Sequence, residues 1–277
     1  MNTLITALAT PYKNGKIDTF SYEKLVHYQL FNGVDALLAI GTTGEAQLLR
    51  GGEKHQLIKI TKRLAENTPV WVGICGRSTI DSVREAVIAE DNGADGILVA
   101  PPAFVKCTPQ GFVQHIKEIL KYVSVPVMLY NAPSRCNYIL DKDAVCELSE
   151  KVRYIKDAGK DLDYTAALSK KLNVLCGNDL LLPEMLKNGA NGVISVVSNV
   201  APKLTRRILD GVANESEYEQ FVRLSKLSML EVSPIAIKYM LYKQDIFESY
   251  NMRLPLTRAN ADTQQQINEM WDTKPLG

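Results

Sequence analysis

The sequence contains few residues of the kinds that build metal sites or disulfide frameworks. It has five cysteines and three histidines among 277 residues. The cysteines form no C-x-x-C pair, and their odd number in a chain of this length argues against a disulfide-stapled fold. His27, His55 and His115 lie far apart, without the spacing of metal ligands. We therefore expect free, largely buried cysteines and no metal site.

The sequence also lacks an excess of charge and a long apolar run. Lys plus Arg (32) nearly balance Asp plus Glu (31), so no bulk charge favours nucleic acid or an acidic membrane surface. No apolar stretch approaches the ~20 residues of a membrane-spanning helix. Residues 1–7 lack the basic and apolar regions of a signal peptide. These absences predict a cytoplasmic protein that binds neither nucleic acid nor membrane.

Short apolar strand signals alternate with helical signals along the first 200 residues. Each strand is apolar throughout, which is typical of a parallel sheet covered on both faces, and each is followed by a helical segment. Eight such units predict a (β/α)8 TIM barrel over residues 1–200. The expected strands are Thr3–Ala9, Asp35–Ile40, Pro69–Cys75, Gly96–Ala100, Val125–Tyr130, Val152–Lys156, Val174–Cys176 and Gly192–Val197.

An open, doubly wound sheet is the alternative fold. No G-x-G-x-x-G follows the first strand, however, and the Gly41–Glu45 turn lacks the lysine and the spacing of a phosphate-binding loop. Beyond residue 200 the strand signals stop, and helices are expected at 201–213, 217–230, 234–243 and 262–271. We interpret residues 201–277 as a helical appendage packed on the barrel.

Functional residues of such a barrel lie at the C-terminal ends of its strands. Lys156 is the first candidate, because it shares one face of the sixth strand with Val152 and Tyr154. A lysine inside a barrel is desolvated, which lowers its pKa and frees the amine to attack a carbonyl. The alternative is a structural lysine paired with a carboxylate such as Asp157.

Three further candidates follow neighbouring strands. Thr42 and Thr43 lie between two glycines, in a turn that could offer N–H groups and hydroxyls to a small carboxylate. Tyr130 ends the fifth strand, where a phenol hydrogen-bonded to a hydroxyl such as that of Thr43 could carry protons. Arg135 could bind a substrate carboxylate through its planar guanidinium. For the two threonines the alternative is an ordinary turn without a ligand. For Tyr130 it is a core tyrosine, and for Arg135 it is a surface arginine.

Four motifs together resemble the class I, pyruvate-dependent aldolase superfamily. They fall in the same order and spacing, and the resemblance covers nearly the whole chain. The Pro133-Ser-Arg135 turn is similar to that of the dihydrodipicolinate synthase family, whereas sialic-acid lyase relatives lack this arginine. The motifs are Gly41–Glu45, Tyr130–Arg135, Tyr154–Ala158 and Gly192–Ser195.

The resemblance implies a mechanism without a metal or an organic cofactor. Lys156 would form a Schiff base with pyruvate, whose carboxylate would be held by Thr42 and Thr43. The resulting enamine would attack the aldehyde of L-aspartate 4-semialdehyde, with Tyr130 relaying protons and Arg135 binding the semialdehyde's carboxylate. The pocket would also be lined by the carbonyl groups of Gly177 and Ile194. The family forms tight dimers that often pair into tetramers, so we expect a homodimer or homotetramer.

The sequence departs from this family at position 104. The family usually has a tyrosine there that crosses a dimer interface into a proton relay, whereas this chain has Phe104. We expect a relay shortened to Thr43 and Tyr130, or one that uses water. A slow synthase, a pyruvate-dependent aldolase acting on a sugar acid and a non-catalytic paralogue therefore remain as alternatives.

Feedback inhibition by lysine occurs in some family members, through a cleft with a histidine or glutamate pair and a tyrosine. The matching stretches here read Gly51-Gly-Glu-Lys54, Arg77-Ser-Thr-Ile-Asp-Ser82 and Ala103. We therefore expect the activity to be insensitive to lysine.

Overall fold

The structure is a computed structural model that describes residues 2–273. Eight parallel strands form a closed barrel, in which each strand pairs with its neighbours in the chain and the last pairs with the first. The predicted (β/α)8 barrel is therefore confirmed, and the open sheet is excluded. The strands are β1 (Thr3–Ala7), β2 (Ala36–Ala39), β3 (Val70–Ile74), β4 (Gly96–Val99), β5 (Val127–Asn131), β6 (Tyr154–Asp157), β7 (Asn173–Cys176) and β8 (Gly192–Ser195).

The described residues form twelve α-helices, and every expected helix is present with small differences at its ends. The helices are α1 (Thr19–Phe31), α2 (Gly51–Ala65), α3 (Thr79–Asp91), α4 (Pro109–Ile119), α5 (Pro133–Cys136), α6 (Lys142–Leu148), α7 (Leu162–Leu168), α8 (Leu182–Lys187), α9 (Pro202–Leu209), α10 (Glu215–Ser228), α11 (Ile235–Lys243) and α12 (Ala261–Thr273). A short hairpin of Tyr12–Lys13 and Lys16–Ile17 precedes α1 and was not predicted from the sequence. None of the helices in the described part of the chain is long and apolar enough to cross a membrane.

Local sequence signals set the helix boundaries. After α1 and α3, Gly33 and Gly93 adopt positive φ angles of 71° and 87°, which glycine reaches at little cost. At their N-termini, six helices begin at a polar residue whose side-chain oxygen accepts a hydrogen bond from an N–H of the first turn. These caps are Asp18, Ser78, Thr108, Asp141, Asp161 and Asn214.

The core has two parts, one between the barrel and its helices and one inside the barrel. The inner part contains Ile5, Met128, Tyr130 and Leu175, which all face the barrel axis. Lys156 pairs in register with Tyr130 on one side and Leu175 on the other. Residues level with one another in a parallel ladder share a face, so the Lys156 side chain also points into the barrel.

The C-terminal helices pack back on the barrel. Helix α9 contacts β1 and β8, α10 contacts α9, and α11 contacts both α10 and α12. We propose that α9 is the eighth barrel helix, because it is the helix that contacts the strands where the barrel closes. The boundary between a barrel of residues 1–200 and a helical appendage of residues 201–277 remains a prediction.

Candidate active site

A cavity of about 160 Å³ opens at the C-terminal ends of the strands. It brings together side chains from segments that are far apart in the sequence, as the barrel topology predicts. Six of the eight residues singled out in the sequence line it: Thr42, Thr43, Tyr130, Arg135, Lys156 and Gly177.

Lys156 is buried at the base of this cavity, with 5% of its surface exposed. Its Nζ lies 4.6 Å from the centroid of the Tyr130 ring. Among the side chains that the structure describes, no carboxylate oxygen lies within 4.0 Å of Nζ. The amine is therefore free of an ion pair and faces the cavity.

The neighbouring Asp157 is committed elsewhere. Its carboxylate accepts hydrogen bonds from Asn131 Nδ2, Gly159 N and Thr165 Oγ1, each at 2.9 Å. Since Asp157 points away from the barrel axis by the alternation of the strand, it supports the loops around the site. The alternative in which Lys156 pairs with Asp157 is therefore not observed.

Gly177, directly after β7, leaves the space that Lys156 occupies. A Cβ at this position would lie 2.9 Å from Lys156 Cε and 2.9 Å from Ala158 Cβ. Both distances are well inside ordinary van der Waals contact. Any larger residue at position 177 would therefore push the lysine side chain out of its place.

The threonine turn is bracketed by two left-handed residues. Ile40 has a φ of 58° and Glu45 a φ of 57°. For a β-branched residue such as Ile40 this conformation costs on the order of 1–3 kcal/mol. Glu45 N donates to Thr42 O at 3.0 Å, which closes the turn. The strain and the hydrogen bond together fix the orientation in which Thr42 and Thr43 face the cavity.

Gly73 on β3 makes room for this strained backbone. A Cβ at position 73 would lie 2.2 Å from the Ile40 carbonyl oxygen. The absence of a side chain therefore lets the end of β2 approach β3 closely, where the turn begins.

Tyr130 and Thr43 line the cavity, but their hydroxyls are not hydrogen-bonded to each other within the described structure. Both residues are buried, and neither hydroxyl has a hydrogen-bond partner among residues 2–273. The predicted direct bond between Thr43 and Tyr130 is therefore absent in this state. A relay between them requires a bridging group, such as a water molecule or the substrate itself.

Arg135 lies at the rim of the cavity. It is exposed and follows β5 in the single-turn helix α5. Its Nη2 donates to the carbonyl oxygen of Ser233 at 3.4 Å. Most of its guanidinium donors are thus open to a ligand in the cavity.

Phe104 and Ile194 are the two residues that the structure does not bring to this cavity. The Phe104 side chain is fully exposed, on a loop where its φ is 64°. The Ile194 side chain is buried with the apolar residues inside the barrel, and Val196 lines the cavity instead.

Asp179 lies in the segment Gly177–Asp179, which the strand-end rule selects after β7, but the sequence assigned it no role of its own. It is 8% exposed and lines the cavity. Its Oδ2 accepts hydrogen bonds from Val196 N at 2.9 Å and Val197 N at 3.1 Å, whereas Oδ1 is buried without a partner. Burial raises the pKa of Asp179, and the polar and charged groups around it, Ser195 and Lys156 among them, oppose this shift. The signal for this residue was its position directly after β7.

A second cavity of about 260 Å³ adjoins the first. The two share Thr42, Tyr130, Arg135 and Ser233. The second cavity is also lined by Cys75, whose pKa burial raises to about 12, so this thiol stays protonated at neutral pH. All five cysteines are free, as expected, but only Cys176 is fully buried and the other four are partly exposed. The described residues contain no group of three or more His, Cys, Asp or Glu side chains able to hold a metal ion.

A comparison with protein families decides the family of this chain. The model of the dihydrodipicolinate synthetase family matches residues 1–274. The chain belongs to this family. A 4-hydroxy-tetrahydrodipicolinate synthase of Campylobacter fetus is 36% identical over 280 residues, which cover 96% of this chain and 94% of the relative.

Two solved structures of dihydrodipicolinate synthases have the same fold. The enzyme of Acinetobacter baumannii, chloride-inhibited and complexed with pyruvate, superposes with a TM-score of 0.93 at 31% identity. It covers 100% of this chain and 99% of its own. A monomeric dihydrodipicolinate synthase variant gives 0.93 at 32% identity and covers 100% of this chain and 97% of its own. The membership expected from the four motifs is therefore confirmed.

Proposed function

We propose that this member of the dihydrodipicolinate synthetase family condenses pyruvate with L-aspartate 4-semialdehyde to give 4-hydroxy-tetrahydrodipicolinate. The observation that carries the proposal is the buried Lys156 amine, which has no ion pair and faces a cavity shared with Thr42, Thr43 and Tyr130. The relatives that bear the synthase name, and the pyruvate complex of the Acinetobacter enzyme, support the same assignment.

The reaction begins at Lys156. Its amine attacks C2 of pyruvate, a C–N bond forms, and the carbonyl oxygen leaves as water, so that a protonated imine results. Loss of a C3 proton gives an enamine, whose C3 attacks the aldehyde carbon of the semialdehyde. Tyr130 lies beside the amine and passes protons in these steps. The semialdehyde's amino group then attacks C2, and cyclisation releases the product and frees Lys156.

Two groups hold the substrate carboxylates in this proposal. The turn at Thr42 and Thr43 receives the carboxylate of pyruvate, and Arg135 at the cavity rim receives that of the semialdehyde. The protonated imine withdraws electrons from C3, so the chemistry needs no metal or organic cofactor. A cytoplasmic location remains a prediction.

Replacing Arg135 with alanine tests the choice of the second substrate. We expect the KM for the semialdehyde to rise about 10- to 100-fold, because a charged hydrogen-bonded pair of this kind contributes about 1.5–3 kcal/mol. Borohydride trapping of the pyruvate imine should stay near that of the unmodified protein. Arg77→Ala is a suitable control, since Arg77 is a highly exposed arginine at the surface.

A substrate panel makes this test decisive. The unmodified chain could turn over a sugar acid better than the semialdehyde, with neither rate changed in Arg135→Ala. That result would identify a pyruvate-dependent aldolase that acts on a sugar acid. If borohydride traps pyruvate on the chain but no aldehyde is turned over, the chain is a catalytically impaired paralogue.

We also propose a homodimer in which Phe104 of one copy packs at the cavity mouth of the other. Phe104 is fully exposed and is followed by the half-exposed Val105, while the 260 Å³ cavity near the site is lined mainly by apolar groups. Replacing Phe104 with aspartate should shift sedimentation velocity profiles from dimer toward monomer. Phe31→Asp, at another exposed phenylalanine, should not. A monomeric unmodified chain would contradict the proposal, and a monomeric dihydrodipicolinate synthase variant is among the similar structures.

Insensitivity to lysine remains a prediction, and an ion pair near the matching stretch supports it. Lys54 Nζ lies 2.5 Å from Glu85 Oε1, in a pair that is mostly buried. Glu85 also accepts a hydrogen bond from Cys75 N at 3.0 Å. The Glu85 carboxylate near the matching stretches is thus already paired within the chain. Rates measured with lysine in large excess over pyruvate should equal those without it, and inhibition would contradict the prediction.

A further inference from the structure

A buried ion pair connects the threonine turn to the C-terminal helices. Lys238 on α11 donates to Glu45 Oε1 at 2.6 Å, and both side chains are fully buried. Lys238 Nζ also lies 4.4 Å from the ring centroid of Tyr12. The guanidinium carbon of Arg253 lies 4.3 Å from the same centroid. Arg253 is in turn paired with Glu53 at 2.5 Å. The pair is therefore enclosed by an aromatic ring and a second, separate ion pair.

Both charges of this pair are held away from water. Burial lowers the pKa of Lys238 to about 8, although Glu45 opposes the shift. Burial likewise raises the pKa of Glu45, against the effect of Lys238. Burial thus disfavours the charged form of both groups, and buried ion pairs of this kind often contribute little to stability. The place of the pair, between the threonine turn and α11, is therefore its more informative feature.

The position of Glu45 suggests that role. Its backbone N–H closes the turn on Thr42 O, and its own left-handed conformation sets the direction in which the chain leaves the turn. The preceding carbonyl, that of Gly44, is held by Thr10 Oγ1 at 2.8 Å. The side chain of Glu45 reaches α11 through its hydrogen bond from Lys238.

We propose that Lys238 and Glu45 are positioning residues, which hold the threonine turn in the conformation that receives the pyruvate carboxylate. Through this pair, helix α11 completes a site whose reacting groups all come from the barrel. The inference rests on the proposed function, because it takes the turn as the carboxylate site. Neither side chain lines the 160 Å³ cavity, although Glu45 lines the adjoining 260 Å³ cavity. We therefore assign both residues a role in positioning the turn and none in contacting pyruvate.

Trapping of the pyruvate imine by borohydride, titrated with pyruvate, tests the inference without the second substrate. The variant to measure is the double substitution Glu45→Gln, Lys238→Met, which removes both charges and keeps the side-chain volumes similar. We expect it to fold with a Tm equal to or above that of the unmodified chain. Its half-saturating pyruvate concentration should rise about tenfold or more, because small displacements of binding groups weaken productive binding strongly. The trapping rate at saturation should change much less.

Two comparisons make the outcome unambiguous. Lys62→Met removes an ion pair with Asp95 at the opposite end of the barrel and should leave the titration unchanged. If the double variant does not fold, Glu45→Gln alone is measured, with an expected rise of about threefold or more. A half-saturating concentration within twofold of that of the unmodified chain, in a folded variant, overturns the inference. If the unmodified chain traps no pyruvate at all, the proposed function itself fails.

Discussion

Replacement of Lys156 by alanine should abolish covalent capture of pyruvate and lower turnover by about 10⁴-fold or more, as removal of other covalent nucleophiles does. The amine is the only atom at the base of the cavity that the proposal uses to form a bond to C2. The substitution leaves Tyr130, the threonine turn and the hydrogen bonds between the strands in place. The loss of turnover would therefore come from the missing amine. Mass spectrometry of the borohydride-reduced protein locates the adduct, and a coupled assay measures the rate.

Two further variants control this result. Lys160→Ala removes an exposed lysine four residues further along and should trap pyruvate normally. Gly177→Ala keeps Lys156 but places a Cβ 2.9 Å from its Cε, so trapping should slow by about 10²-fold. An adduct that persists on Lys156→Ala would show that another amine is the nucleophile.

The barrel could be predicted from the sequence because its signals are local. Each strand is a short apolar run, and each helix has its own start and stop residues, so alternation alone gave the order of elements. The rule that function lies at the C-terminal strand ends then selected Thr42, Tyr130, Arg135 and Lys156. These residues do converge, because the closed barrel brings all its strand ends to one rim.

The features that could not be predicted from the sequence depend on contacts between segments that are far apart in the chain. Glu45 and Lys238 are 193 positions apart, and no periodicity indicates which helix packs behind the threonine turn. Asp179 gave a weak signal because an acidic residue after a strand is common at helix starts. The role predicted for the Ile194 carbonyl group stays a prediction: the Ile194 side chain lies inside the barrel, and Val196, directly after β8, lines the cavity.

Tyr130→Phe should lower turnover by about 10²- to 10⁴-fold, the range typical of a lost general acid or base. The change removes only the hydroxyl, so the ring can keep its contact with Lys156 Nζ and its place among the apolar residues inside the barrel. The hydroxyl has no hydrogen-bond partner in the structure, so its loss leaves no buried group unpaired. Stability should therefore be nearly unchanged while each proton-transfer step becomes slow.

Tyr154→Phe is the matched control for this prediction. Tyr154 lies on the same strand face as Lys156 but lines a cavity at the other end of the barrel, where its ring packs edge-on against Trp71. Its loss of a hydroxyl should leave turnover unchanged. Single-turnover measurements separate the steps: Tyr130→Phe should slow imine formation and also the release of product. If its turnover stays within threefold of the unmodified chain, Tyr130 is not the proton carrier, and a water molecule or Asp179 must take that role.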